Sequence, residues 1–106
     1  MSRTASVVLL SEQGEGVQTD QFSDRETFTV NTENTAYEIT IMHGATGDVQ
    51  VRGGRHFPSK TRCTLLGASG GALLKVRSVS VGLNMEFLHE GRRIVTSPVC
   101  SIAIGY

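Results

Sequence analysis

From Thr27 onward the apolar residues of this chain fall at alternate positions in short runs, and nowhere do they sustain the i, i+3, i+4, i+7 spacing of an amphipathic helix. Successive side chains of a strand point to opposite faces, so period-2 runs describe half-buried strands and confine the chain to the all-β class. Phe28 and Val30 make one run; Tyr37, Ile39 and Ile41 a second; Val49 and Val51 a third. Turn formers separate them: Asn31, Glu33 and Asn34, then residues 43–48 (HGATGD), so residues 36–52 read as an antiparallel hairpin. Cys63 and Leu65 continue the alternation, and the glycine-rich residues 67–71 (GASGG) interrupt it.

Beyond that interruption Leu74 and Val76 share one parity, whereas Val79, Val81, Leu83, Met85 and Phe87 share the other. A change of parity needs a bulge or tight turn, which falls near Arg77-Ser78, and the five residues from Val79 to Phe87 read as one core face. Residues 89–92 (HEGR) fit a short hairpin loop with Gly91 in the left-handed position. Thr96-Ser97-Pro98 suits one 3₁₀ turn, with Ser as cap and Pro at the first helical position. The closing strand, Val99 to Ile104, then sets Cys100, Ile102 and Ile104 on one face. Ala72 to Val76 admits at most one further helical turn.

The N-terminal stretch is patterned more weakly. Val7 to Leu10 reads as an edge strand, and the polar residues from Ser11 to Arg25 as a long loop or tail. The chain therefore divides into a poorly organised segment, 1–25, with an edge strand at 7–10, and an all-β domain, 26–106. Its 106 residues suit one domain. Folding at that size removes roughly two-thirds of the unfolded chain's surface from water, enough for a core without metals or bridges. With six aromatic residues and no Trp, β-branched aliphatics must fill that core, and twelve glycines supply the turns. The expected fold is a small barrel, partly open, or a compact sandwich of six or seven short antiparallel strands. The short turn before a final apolar strand resembles the arrangement in SH3-like barrels, a likeness of pattern only.

No run of about 18 apolar residues is present, so no membrane-spanning helix is expected. The N-terminus has only a four-residue apolar run, short of a secretory core, and Cys63 and Cys100 lie in apolar contexts that favour buried free thiols. A cytoplasmic location follows as the expectation. The zero net charge conceals a split: residues 1–40 carry seven acids against two bases, and residues 41–106 eight bases against three acids. The two halves are expected to neutralise one another across adjacent strands, leaving a charged surface where they do not.

His43, His56 and His89 fall in turns, far apart in sequence, and neither cysteine has a neighbouring partner, so no metal ligand set or cofactor site is expected. Residues 67–71 imitate a nucleophile elbow or a phosphate loop, but neither is followed by the helix that those devices require. The carboxylates cluster in the weakly patterned N-terminal segment, where nothing would fix an acid/base pair. No catalytic constellation emerges, and a non-catalytic interaction or assembly module is the leading reading. Its contact surface is the basic loop 52–62, with Arg52, Arg55, His56, Phe57, Lys60 and Arg62, extended by Arg77, Arg92 and Arg93. A protein partner or self-association is expected there. The alternative is nucleic-acid binding by the same surface, with phosphates neutralised by Arg and Lys and bases stacked on Phe57. Against it, the pI near 6.8 is low for such a module. A third reading is a small enzyme or metal site at a rim where the three histidines meet.

Overall fold

A computed structural model describes residues 6–105. The alternating runs become β3 (Thr27–Thr32), β4 (Ala36–His43), β5 (Asp48–Gly53), β6 (Phe57–Gly70) and β9 (Asn84–His89), with β10 (Arg92–Gly105) last. β1 (Val7–Leu10), β2 (Gly16–Gln18), β7 (Leu73–Val76) and β8 (Ser78–Ser80) are shorter, and two 3₁₀ turns cover Thr19–Gln21 and Gly44–Thr46. Among the described residues no helix is long and apolar enough to cross a membrane. Six strands close a ring of antiparallel hydrogen bonding in the order β10-β3-β4-β5-β6-β9 and back to β10. The ring is irregular: five of its strand pairs contain a register shift. Bulges of this kind bend and twist strands, which lets the 14-residue β6 and β10 each pair with three neighbours.

Inside the ring lie Phe28, Ile39, Ile41, Val49, Val51, Phe57, Leu65, Met85, Phe87 and Ile102, all buried. Each such side chain is worth roughly 1.5–3 kcal/mol when fully removed from water, so this interior is the main source of stability. β2 pairs with β8 as a separate two-stranded sheet and adds Val17 and Val79 to the same core, joined by Val81 in the turn after β8. Residues 16–21, read from the sequence as loop, are thus held in place. Thr19 is buried, with its hydroxyl donating to the Gly44 carbonyl at 2.5 Å, and Phe22 stacks on Phe28 at 4.7 Å.

Several local expectations are corrected. The glycine-rich segment does not end its strand: β6 runs through Gly67 to Gly70, and the turn is Gly71-Ala72. At Gly67 an added Cβ would overlap the Lys75 carbonyl, so the close approach of β7 requires glycine there. Ala72–Val76 holds β7, not a helical turn. The parity change does fall at Arg77, which adopts φ 53° between β7 and β8. Residues 79–87 are two strands rather than one, split by a turn with Gly82 at φ 95°, and Leu83 is only half-buried.

Thr96-Ser97-Pro98 is not a 3₁₀ turn but part of β10, at a register shift between Val95 and Pro98. Thr96 is buried, and its hydroxyl accepts the Met85 N–H at 3.1 Å and donates to the Ser97 carbonyl at 2.8 Å. That hydroxyl does for the bulged backbone what a helical turn would have done. The likeness to SH3-like barrels rested on this turn and loses its support. A second shift, between Val99 and Ser101, resets the parity, so Val99 and Ile102 face inward while Cys100 is exposed. Of the two thiols expected to be buried, only Cys63 is.

Candidate functional site

The basic loop is a tight turn between two paired strands. Gly53 pairs with Phe57, leaving residues 54–56 as the turn, and Gly54 takes φ 58°. A Cβ at Gly53 would overlap the Ala36 carbonyl, so β5 and the start of β4 meet too closely for any other residue. Arg55 and His56 are exposed at the tip. Pairing resumes at Thr61 opposite Val51, so residues 58–60 bulge opposite Arg52, and Pro58 sits where no ladder donor is needed.

Phe57 does not belong to the contact surface. It is the first residue of β6, fully buried, edge-on to Tyr37 at 6.4 Å and to Phe87 at 5.2 Å. Among the described residues every Phe and Tyr is buried or half-buried, so no such ring is presented for base stacking.

The β9–β10 hairpin places the other half of the site. His89 pairs with Arg92, and Glu90 and Gly91 form the two-residue turn with φ 51° and 75°, the left-handed pair that matches strand twist. This hairpin and the Arg55-His56 turn flank one cleft of about 580 Å³, lined by Arg55, His56, His89, Arg92, Arg93 and Ile94. No acid lines it. Arg93 is held from outside by Glu86, at 3.2 Å from its Nε, and His89 lies 3.8 Å from Glu90, an ion pair only when the imidazole is protonated. Arg55 and Arg92 have no ion pair among the described residues. On the other side of the same turn a second cleft, of about 520 Å³, shares Arg55 and His56 and adds Asn34, Thr35, Tyr37, Gly54 and Ser97. Its added side chains are neutral hydrogen-bonding groups. Burial pushes the Tyr37 hydroxyl above its ordinary pKa, against a hydrogen bond with Thr35 that lowers it.

The remaining basic residues are placed elsewhere or already occupied. Arg52 faces Glu38 on β4 at 3.7 Å. Arg62 grips Asp48 with two hydrogen bonds, Nε to Oδ1 at 3.0 Å and Nη2 to Oδ2 at 2.6 Å. The Arg62 guanidinium holds the Asp48 carboxyl below the usual carboxylate range. Both pairs cross adjacent strands, but only the Arg52 pair links the acidic and basic halves of the chain. Lys60 is exposed on the bulge, outside the cleft lining.

Arg77 does structural duty. Its N–H donates to the Leu66 carbonyl and its carbonyl accepts the Thr19 N–H, both at 2.9 Å. His43 lies at the end of β4 beside Asp48, away from the other two histidines. Among the described residues no three His, Cys, Asp or Glu side chains gather as a metal site, so the histidine rim does not assemble.

Of nine candidate contact residues, four share the cleft: Arg55, His56, Arg92 and Arg93. His89 joins them, although the sequence reading had placed it only in the metal alternative. The neutral cleft has no sequence signal, since Asn34, Thr35 and Tyr37, at or just beyond the β3–β4 turn, meet Ser97 of β10 and the β5–β6 turn only through the fold. No protein-family model, curated protein or solved structure matches this chain.

Proposed function

We propose that this all-β domain is a non-catalytic interaction module that takes an acidic protein partner at the cleft between the Arg55-His56 turn and the β9–β10 hairpin. One observation carries the reading: three guanidiniums and two imidazoles line one recess that no carboxylate enters. Electrostatic complementarity of this kind steers an acidic partner and fixes its register. A cytoplasmic setting belongs to the same proposal and is supported by two free thiols. Nucleic acid is the weaker occupant, because no exposed Phe or Tyr among the described residues is available to stack on bases. The test is fluorescence anisotropy with a labelled Gly/Ala peptide carrying one short acidic cluster, and with a labelled single-stranded oligonucleotide, at low and moderate salt. Binding of the acidic polypeptide, weakened by Arg55→Gln and Arg92→Gln, is expected. Preference for the oligonucleotide, or no binding of either, would refute the reading.

A second reading, self-association, has its own observation. Six of the eight exposed large hydrophobic residues, Val7, Val8, Leu9, Leu73, Leu74 and Val76, lie on β1 and β7. Each of these strands pairs on one side only, which leaves an open edge. Light scattering across a concentration series tests it: association relieved by Leu74→Lys supports it, and a monomer throughout sinks it.

A further inference from the structure

We infer that the group bound in the basic cleft is a phosphate monoester, carried by a phosphorylated side chain of the partner, whose flanking residues lie in the neighbouring neutral cleft. This rests on the interaction-module reading above and specifies its ligand. Charge comes first. Arg93 is already matched by Glu86, and among the described residues Arg55 and Arg92 are two guanidiniums without an ion pair. A carboxylate would neutralise one of them. A phosphorylated side chain carries about −1.5 to −2 near neutral pH and three acceptor oxygens, which suits both forks together.

Donor geometry points the same way. The two arginines arrive from different hairpins, Arg55 from the β5–β6 turn and Arg92 from the start of β10. A phosphate offers three oxygens and up to two negative charges to the two directions, whereas a carboxylate offers two oxygens and a single charge. His56 and His89 line the same recess and add ring N–H donors.

Size and surroundings complete the argument. A recess of about 580 Å³ is far larger than one phosphate group, which has the bulk of a few waters at about 30 Å³ each, so it has room for the ester's stem as well. The only wall the two clefts share is the Arg55-His56 turn. Past that turn the lining changes from cationic to neutral, with Asn34, Thr35, Tyr37 and Ser97 offering donors and acceptors for peptide backbone. A charged subsite beside a neutral hydrogen-bonding one fits a single phosphorylated residue within an otherwise uncharged segment. It does not fit a polyanion, which would need positive charge along its whole path.

The experiment compares three short Gly/Ala peptides that differ only at the central residue: phosphoserine, glutamate or serine. Affinities come from anisotropy, and the contact surface from amide and histidine-ring NMR shifts. The phosphoserine peptide is expected to bind at least about tenfold more tightly than the glutamate peptide. Its shifts should centre on residues 54–56 and 89–94, with weaker shifts at Asn34, Thr35 and Ser97. Arg55→Gln and Arg92→Gln should each weaken phosphopeptide binding about fivefold or more, while Arg25→Gln, a matched loss of charge away from the clefts, should not. Unchanged thermal melting of these surface variants separates lost contacts from lost folding. Equal binding of the phosphoserine and glutamate peptides overturns the phosphate inference and leaves the acidic-partner reading standing. Binding of neither peptide overturns both. Tighter binding of an oligonucleotide or an anionic lipid vesicle than of the phosphopeptide also overturns the inference.

Discussion

Replacing Phe57 with alanine separates two incompatible views of the segment it begins. If the ring stood in the basic loop as a stacking platform, its loss would leave stability almost untouched and weaken any polyanion contact. In the fold described above the ring is fully buried, edge-on to Tyr37 and Phe87 with interplanar angles of 77° and 74°. Truncating a buried Phe to Ala costs about 3–5 kcal/mol, through lost transfer energy and the cavity left behind. The two edge-on pairs, at about 0.5–1.5 kcal/mol each, place this site in the upper part of that range. A domain of this length has a total stability of roughly 5–15 kcal/mol, so Phe57→Ala should remove about a quarter of it or more. At about 4–8 °C per kcal/mol, the melting temperature should fall by 15 °C or more. Phe57→Leu keeps much of the apolar volume but loses the edge-on geometry, and about half the cost is expected. Urea denaturation followed by far-ultraviolet circular dichroism gives both values. A loss below about 1 kcal/mol for Phe57→Ala would show that the ring is not buried, and the account of the β5–β6 turn would fail with it.

Further outcomes follow from three individual residues. Burial first, with the Asp48 charge adding to it, pushes the Cys63 thiol up to about 12, so a thiol reagent near neutral pH should label exposed Cys100 alone and reach Cys63 only on unfolding. Because that pKa is raised, its contribution to stability is complete below the ordinary value of 9.0 and is lost as pH climbs toward 12; Cys63→Val should remove the early part of this alkaline loss, leaving the part due to Tyr37. The Asp48 pKa is lowered by its hydrogen bond from Arg62, so this pair stabilises the fold above the usual carboxylate range and ceases to do so as pH falls through the depressed value. In an acid titration Asp48→Asn should lack that component, and an unchanged acid profile would refute the assignment. At Gly67 an added Cβ would overlap the Lys75 carbonyl, so Gly67→Ala should cost about 2–3 kcal/mol and raise amide exchange along β7; an unchanged denaturation midpoint would contradict the close approach of β6 and β7.

The class of fold was readable from the sequence because alternation is a local property. Phe28, Val30, Tyr37, Ile39, Ile41, Val49 and Val51 each face the core as their parity requires. The turn at Gly91 is equally local, since glycine takes positive φ freely, and the parity change is legible in the alternation on either side of Arg77, although arginine itself does not favour the φ of 53° that it adopts there. Errors gathered where a strand bulges. An extra residue reverses parity across it, so alternation counted back from Ile102 and Ile104 turns Cys100 inward where it is exposed, and the bulge at Thr96-Ser97-Pro98 has the composition of a helical turn. Nothing in the sequence around residues 95–101 marks two register shifts, because the hydroxyl that satisfies the bulged backbone bonds to Met85 on another strand. Phe57 was misplaced for a related reason. Gly53 lets the strand pair until the turn and start again at once, which puts residue 57 back in the ladder.

Composition, charge and period thus settled that this chain builds an all-β domain, and that eight of its ten bases lie beyond residue 40. Which of those bases line one cleft was decided only when β9 joined β6 and β10 and closed the ring. That closure seats Arg55 and His56 against His89, Arg92 and Arg93, residues more than 30 positions away. It also leaves Arg52 and Arg62 to carboxylates on neighbouring strands. Charge along a chain is additive and can be counted, whereas a binding cleft depends on which strands pair, and pairing is set by long-range hydrogen bonds and core packing.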